Sequence, residues 1–366
     1  MAVNINLGFQ TYFGMVQQSA YRTALVVTTK IPFTSESLSD SRNKILSEVL
    51  MGNAGHNYAD NSPKSVMGQC AAELMYYVLD SGEFVGTDLP LAIAMGANTY
   101  DSGGGRSLNQ ITLENSLTKC ATLALLKGET DSANELWEFI GAMCKSFEIS
   151  GKSGDCFKAT FDWICYNLIR SGCVNTANDL TSLPTELPGR LLFSDATFKI
   201  ATDFTNALAN ADKVGISEFN LSMNRNLTEP EFATPENSGH TDSDLTLQPV
   251  SDGFRDCKLS FTIPRYATDA FITAMNLGSS VQAELDITDG TSTFKIFMPY
   301  LLVDKVDIPI PGASHLTQKV ECSLLRGSAY NGGAGNTVML LGDGSTTIEE
   351  EFTIEVDNQR TAAIIS

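Results

Sequence analysis

Residues 281–288 alternate without a break, with Val281, Ala283, Leu285 and Ile287 on one side and Gln282, Glu284, Asp286 and Thr288 on the other. A period of two belongs to a strand with one buried face, and the Asp289-Gly290 that follows is a hairpin turn pair. The same period sets Phe157, Ala159, Phe161 and Trp163 against Lys158, Thr160 and Asp162. It recurs in Cys257, Leu259, Phe261 and Ile263, a run that Pro264 ends. Ala270, Phe271, Ala274 and Met275 are spaced instead for one helix face, with Gly278 placed as a C-cap. Further strands are expected at 66–78, 117–126, 136–149, 191–200, 216–227, 293–303, 306–310 and 316–325, and shorter ones at 337–341 and 351–356. A second helix-compatible stretch covers 84–95. This order predicts a mainly β protein with a flanking helix per unit, a β-sandwich or half-barrel of mostly antiparallel strands.

The pattern also occurs twice. Leu38, Ser39, Arg42 and Asn43 match Leu221, Ser222, Arg225 and Asn226, all 183 positions apart. Phe147-Glu148-Ile149, a polar turn and the run 157–161 have a counterpart 159 positions later, in Val306-Asp307-Ile308, the Pro311-Gly312 turn and the run 316–320. The separation falls from 183 to 159, so the second copy is 24 residues shorter between the matched segments. Internal similarity of this kind predicts a tandem architecture. We expect an N-terminal arm or edge segment over 1–30, a first β domain over 31–174 and a connector with Pro and Gly clusters over 175–213. A second β domain over 214–327 follows, then C-terminal strands and a tail over 328–366.

Composition narrows the class. A chain of 366 residues with 43% hydrophobic and 18% charged residues has room for two or three domains and a buried core. No apolar run approaches the length of a membrane span, and the first residues lack the basic and apolar regions of a signal peptide, so neither is expected. Eight cysteines without a CxxC pair read as small buried hydrophobes in a reducing cytoplasm. The net charge of −19, from 43 acidic and 24 basic residues, repels phosphates and gives no electrostatic footprint for gripping DNA.

Little points to chemistry. His56, His240 and His315 lie in unrelated contexts with no zinc-ligand spacing. Ser102-Gly103-Gly104-Gly105-Arg106 lacks the Gly-Lys-Ser/Thr ending of a phosphate loop and reads as a plain loop. Glu349-Glu350-Glu351 reads as a solvated run that discourages edge pairing. Glu284 and Asp286 lie side by side on one strand face, but without a facing acid they make no glycosidase or metal site. Trp137 and Trp163 fall in strand-like runs and read as core. No catalytic, cofactor-binding or metal-binding residue is expected, and an enzyme is the last reading.

One family carries these segments together. Ile-Ser-Glu-Phe-Asn-Leu-Ser-Met-Asn-Arg-Asn-Leu at 216–227, Asp-Cys-Lys-Leu-Ser-Phe-Thr-Ile-Pro at 256–264 and Phe-Lys-Ile-Phe-Met-Pro at 294–299 resemble the major tail tube protein family of bacteriophages with long non-contractile tails. So do the hairpin around Pro311-Gly312, Pro-Phe-Thr-Ser-Glu-Ser-Leu at 32–38 and Val-Met-Gly-Gln at 66–69. The resemblance implies a subunit of stacked rings in the virion tail, made in the bacterial host cytoplasm. Phage DNA would pass through the lumen without sequence-specific binding. Its expected partners are further copies of itself, the tape measure, the tail terminator and the distal tail protein, with no membrane. Many members form six-membered rings from one tube fold each; two folds per chain imply a trimer. Gln282, Glu284, Asp286 and Thr288 are candidates for the lumen wall, and alternation leaves equally open that they face a neighbouring ring or solvent. Two other readings stand beside the tube: a distal-tail hub forming a single ring, and a carbohydrate-binding β-sandwich with Trp137 or Tyr330 as a stacking platform.

Overall fold

The computed structural model describes residues 11–42, 44–46, 59–61, 64–75, 84–102, 107–115, 117–127, 136–184, 189–201, 208–229, 247–310, 315–326, 348–358 and 360–366. Most of its regular structure is strand. β1 (Thr11–Gln18), β2 (Thr29–Lys30), β3 (Phe33–Glu36) and β4 (Ser39–Ser41) lead to a small hairpin, β5 (Lys44–Leu46) with β6 (Ala59–Asn61). β7 (Ser65–Glu73), β8 (Phe84–Val85) and the helix α1 (Asp88–Met95) follow. Apolar after Asp88, α1 is buried along its whole length and stops at Gly96, whose φ of 97° favours a residue without Cβ.

β9 (Gly96–Asp101) and β10 (Leu108–Leu113) pair as a hairpin, followed by β11 (Cys120–Lys127) and the 17-residue β12 (Leu136–Lys152). β13 (Lys158–Cys165), β14 (Asn167–Ile169) and the short helix α2 (Ala177–Thr181) come next. Then come β15 (Ala196–Ala201), β16 (Glu218–Asn224), β17 (Asp256–Ile263), the helix α3 (Ala270–Leu277) and β18 (Ser280–Thr288). The 15-residue β19 (Thr293–Asp307), β20 (Gln318–Leu324) and β21 (Thr353–Asp357) complete the chain.

Two long strands organise the sheets. The first part of β12 pairs with β11 and β14, and its second part with β13 and β16. A register shift between Cys144 and Ser146 lies where the strand changes partners, as a β-bulge bends a strand. β19 repeats the device. Its first part pairs with β18 and β21, its second with β20, and its register shifts between Val303 and Lys305. Cys144 and Val303 are 159 positions apart, and so are Ser146 and Lys305.

The pairing of every neighbouring strand agrees. Phe147 lies opposite Phe161, Phe161 opposite Cys70, and Cys70 opposite Glu36. In the second half Val306 lies opposite Val320, Val320 opposite Phe261, and Phe261 opposite Phe219. Glu36 and Phe219 are 183 apart, the separation seen in the sequence. Phe13 faces Leu125 across β1 and β11, as Phe198 faces Leu285 across β15 and β18. In chain order α1 falls between β7 and β11 as α3 falls between β17 and β18, and both end on a left-handed glycine.

Three expectations change. Within the segment expected as an arm or edge, Phe13 and Met15 of β1 lie in the main core. The 175–213 stretch is more than a connector, since β15 pairs along its length with β18. β21 does not close a free tail but wedges between β10 and β19, tying the first half to the second. Arg360 adds to this tie by pairing with Asp88 of α1 at 3.0 Å, both side chains being buried. The strand expected at 337–341 and the Pro311-Gly312 turn lie outside the described residues. The apolar core runs without a break across both halves, with the Phe157 and Phe219 rings meeting edge to face at the junction.

Candidate functional site: an eight-stranded sheet open at both edges

β12 and β16 are the seam. Through them the strands β3/β4, β7, β13, β12, β16, β17, β20 and the second part of β19 form one antiparallel series. At the seam Glu148 lies opposite Ser222, Ile149 opposite Leu221 and Lys152 opposite Glu218. One face of this sheet is core: Ile149, Phe161, Leu221, Leu259, Val320 and Cys322 are buried. The other face is polar, as period-two alternation requires. At its two ends, among the described residues, neither the outer side of β3/β4 nor that of Lys305–Asp307 has a paired strand.

The polar face is mixed in charge. Glu73, Glu148, Asp162, Glu218, Asp256, Asp307 and Glu321 share it with Lys152, Lys158, Lys258, Lys305 and Lys319, an excess of two acids. Serine, threonine and asparagine separate them. Lys258 pairs with Asp256 at 2.8 Å, Lys319 with Glu321 at 2.7 Å and Lys152 with Glu218 at 3.5 Å. The Lys319 hydrogen bond lowers the Glu321 carboxyl, whereas burial raises that of Asp162. A shallow groove of about 360 Å³ on this face is lined by residues that include Lys152, Lys158, Glu218, Thr262 and Lys319.

Arg225 locks the seam from behind. It follows β16, its backbone N–H donates to Lys145 O, and its side chain is fully buried. The guanidinium caps the end of α1, with Nε donating to Ala94 O at 2.9 Å, Nη1 to Glu114 O at 3.0 Å and Nη2 to Met95 O. Desolvation pulls its pKa down to about 10, still charged at neutral pH. The cation faces the negative end of the helix dipole. Sequence comparison paired Arg225 with Arg42 but gave no sign of this role.

The four proposed wall residues do not share an exposed face. They stand on β18, between β15 and β19. Gln282 and Glu284 are buried, Asp286 is half-buried and only Thr288 is exposed. Lys199 of β15 holds Glu284 at 3.0 Å, and Lys295 of β19 lies 3.3 Å from Asp286. His315 is exposed; His56, His240, Tyr330 and residues 103–106 lie outside the described residues. Glu351 accepts from Nε and Nη2 of Arg255, at 2.7 Å for the closest pair, rather than being solvated. The Trp137 ring is occupied by Lys127 and Arg170, 3.9 and 4.2 Å from its centroid, so it offers no bare platform to a sugar. Trp163 is core, donating to the Cys70 sulfur at 3.2 Å. Among the described residues no cluster could hold a metal ion, and no helix is long and apolar enough to cross a membrane.

A search of curated proteins finds no match to the chain. A family model described as phage tail tube protein matches residues 4–359. A polar-faced sheet with open edges is what a self-assembling tube subunit needs, and the match covers nearly the whole sequence. The chain belongs to the phage tail tube protein family and is a structural component of the virion tail.

Proposed function

We propose that this chain is the repeating subunit of the tail tube, that it carries two tube folds in tandem, and that three copies close into each ring. The observation that carries this reading is the β12–β16 seam. There the second part of one long bent strand receives the opening strand of the next half. The second part of β19 has the same side open, and β3/β4 is the counterpart of β16. An exposed strand edge is a template for pairing, and ring closure removes it.

Size favours three. At roughly 4.8 Å per strand, the eight strands of three copies give a circumference of about 115 Å and a backbone cylinder about 37 Å across, or more with strand tilt. That passes a DNA duplex with room for side chains and water. Six copies would double the width and leave a bore far larger than the duplex.

The polar face of the eight-stranded sheet becomes the channel wall. Its small acid excess and its paired lysines leave few free cations for phosphates, so DNA slides past rather than binding. This reading makes the wall nearly neutral and takes it from this face rather than from Gln282, Glu284, Asp286 and Thr288 of β18. The subunit is made in the host cytoplasm, in keeping with eight unpaired cysteines. Rings stack head to tail and meet the tape measure, terminator and distal tail proteins at their ends.

Electron microscopy of the purified full-length chain tests this. Hollow filaments with three chains per ring are expected. Six chains per ring would remove the trimer, isolated single rings would favour a hub, and a protein that stays monomeric at all concentrations would overturn the tube.

A further inference from the structure

α1 and α3 are counterparts with opposite surroundings. Every residue of α1 is buried, partly under the β9–β10 hairpin and at its C-terminal end under Arg225. In α3 only Phe271 and Ala274 are buried, and Leu277 is 73% exposed. Aligning the glycine caps Gly96 and Gly278 places Leu277 where Met95 stands and Asn276 where Ala94 stands. The bonds of the α3 cap run from Gly278 N–H to Ala274 O and Met275 O, and do not use the carbonyls of Asn276 and Leu277.

The arginine that would fill this position is also present. Arg42 follows β4 as Arg225 follows β16, and in the single chain it is exposed. Moving the seam by its two separations sets Ser41 opposite Lys305, Asp40 opposite Val306 and Ser39 opposite Asp307 of a second copy. Arg225 N–H donates to Lys145 O within the chain; the same shift gives Arg42 N–H the carbonyl of Asp304. Ile45 and Leu46, on the hairpin after Arg42, are 57% and 48% exposed and supply apolar surface to cover Leu277.

We propose that Arg42 of one copy enters the C-terminal end of α3 in the next copy and donates to the carbonyls of Asn276 and Leu277, as Arg225 does at α1. The partner is a second copy of this chain, and the inference rests on the ring reading above. The site is weaker than its counterpart, because the acceptor Glu114 O comes from the segment after β10 and has no equivalent beside α3. A contact that forms only on assembly can be made and released, whereas the Arg225 contact is part of the folded chain.

Two cysteine pairs in the full-length protein separate the outcomes. Arg42→Cys with Leu277→Cys tests the arginine site, and Ser39→Cys with Asp307→Cys tests the strand register. All but one of the natural thiols are buried, which keeps the background low. Both pairs should link chains into covalent dimers and trimers after assembly. Arg42→Ala should raise the concentration needed for tube formation by roughly tenfold, the effect of losing about one hydrogen bond from a charged donor. Linking at 39–307 alone, with Arg42→Ala assembling normally, would overturn the arginine contact and leave the ring standing. Linking at neither pair would overturn both.

Discussion

Arg225 and Met95 are 130 positions apart in sequence and meet at the end of α1, where the arginine Nη2 donates to the methionine carbonyl. Burying a guanidinium is costly, and only the three carbonyls it reaches offset that cost. Arg225→Ala leaves the Ala94 and Met95 carbonyls without their donor inside the seam, while Glu114 O keeps Arg255. The expected loss is about 3 kcal/mol of unfolding free energy, read from urea denaturation of the monomer. A change below about 0.5 kcal/mol would show that water replaces the arginine.

Glu284 is held between β15 and the first part of β19, so its reversal tests folding rather than transport. Glu284→Lys sets two ammonium groups against each other at a site where the Lys199 and Glu284 side chains are only 16% and 11% exposed. A cost of about 3 kcal/mol is expected, with the thermal midpoint falling accordingly. Restoring opposite charge with Lys199→Glu in the same chain should recover most of it. A stable Glu284→Lys protein with blocked genome ejection would put this residue back in the lumen.

The buried thiols predict an alkaline limit. Burial raises Cys70, Cys257 and Cys322 to about 12 and Cys120 to about 11, from an ordinary value of 9.0. Above pH 9 the unfolded chain loses these protons while the folded chain keeps them. Their contribution to stability is therefore complete below pH 9 and declines as pH climbs towards 12. Denaturation midpoints should hold between pH 8 and 9 and fall from pH 9 to 11, and Cys→Ser at two of these positions should flatten the slope.

Charge on the polar face governs what the channel retains. Glu148→Lys with Glu321→Lys gives every subunit two more cations on that face and removes two acids. Tubes of this variant should hold short DNA duplexes at low salt and release them as salt rises, whereas unaltered tubes hold none. Sedimentation of labelled duplex with preformed tubes measures this. Equal, salt-independent behaviour of the two would place the face outside the lumen.

Part of this molecule was readable from residue order. Alternation marked β18 and β17, the spacing of Phe271 and Ala274 with Gly278 marked α3, and the Leu-Ser and Arg-Asn matches gave the separation of 183 that the strand registers reproduce. These signals are local, because a strand or helix face is set by neighbours within a few residues.

Alternation assigned Glu284 to the face opposite Leu285 but could not reveal that lysines on β15 and β19 cover that face. The burial of Glu284 depends on Lys199, 85 positions away. β1 was passed over because a short strand in a stretch of polar turns carries little periodicity until its partner is known. The role of Arg225 was likewise invisible, since nothing local distinguishes an arginine that will be solvated from one aimed at carbonyls more than a hundred residues away. Sequence determined most of the strands and helices and the two recurring separations. Tertiary structure decided which polar residues are buried, because desolvation is imposed by distant parts of the chain.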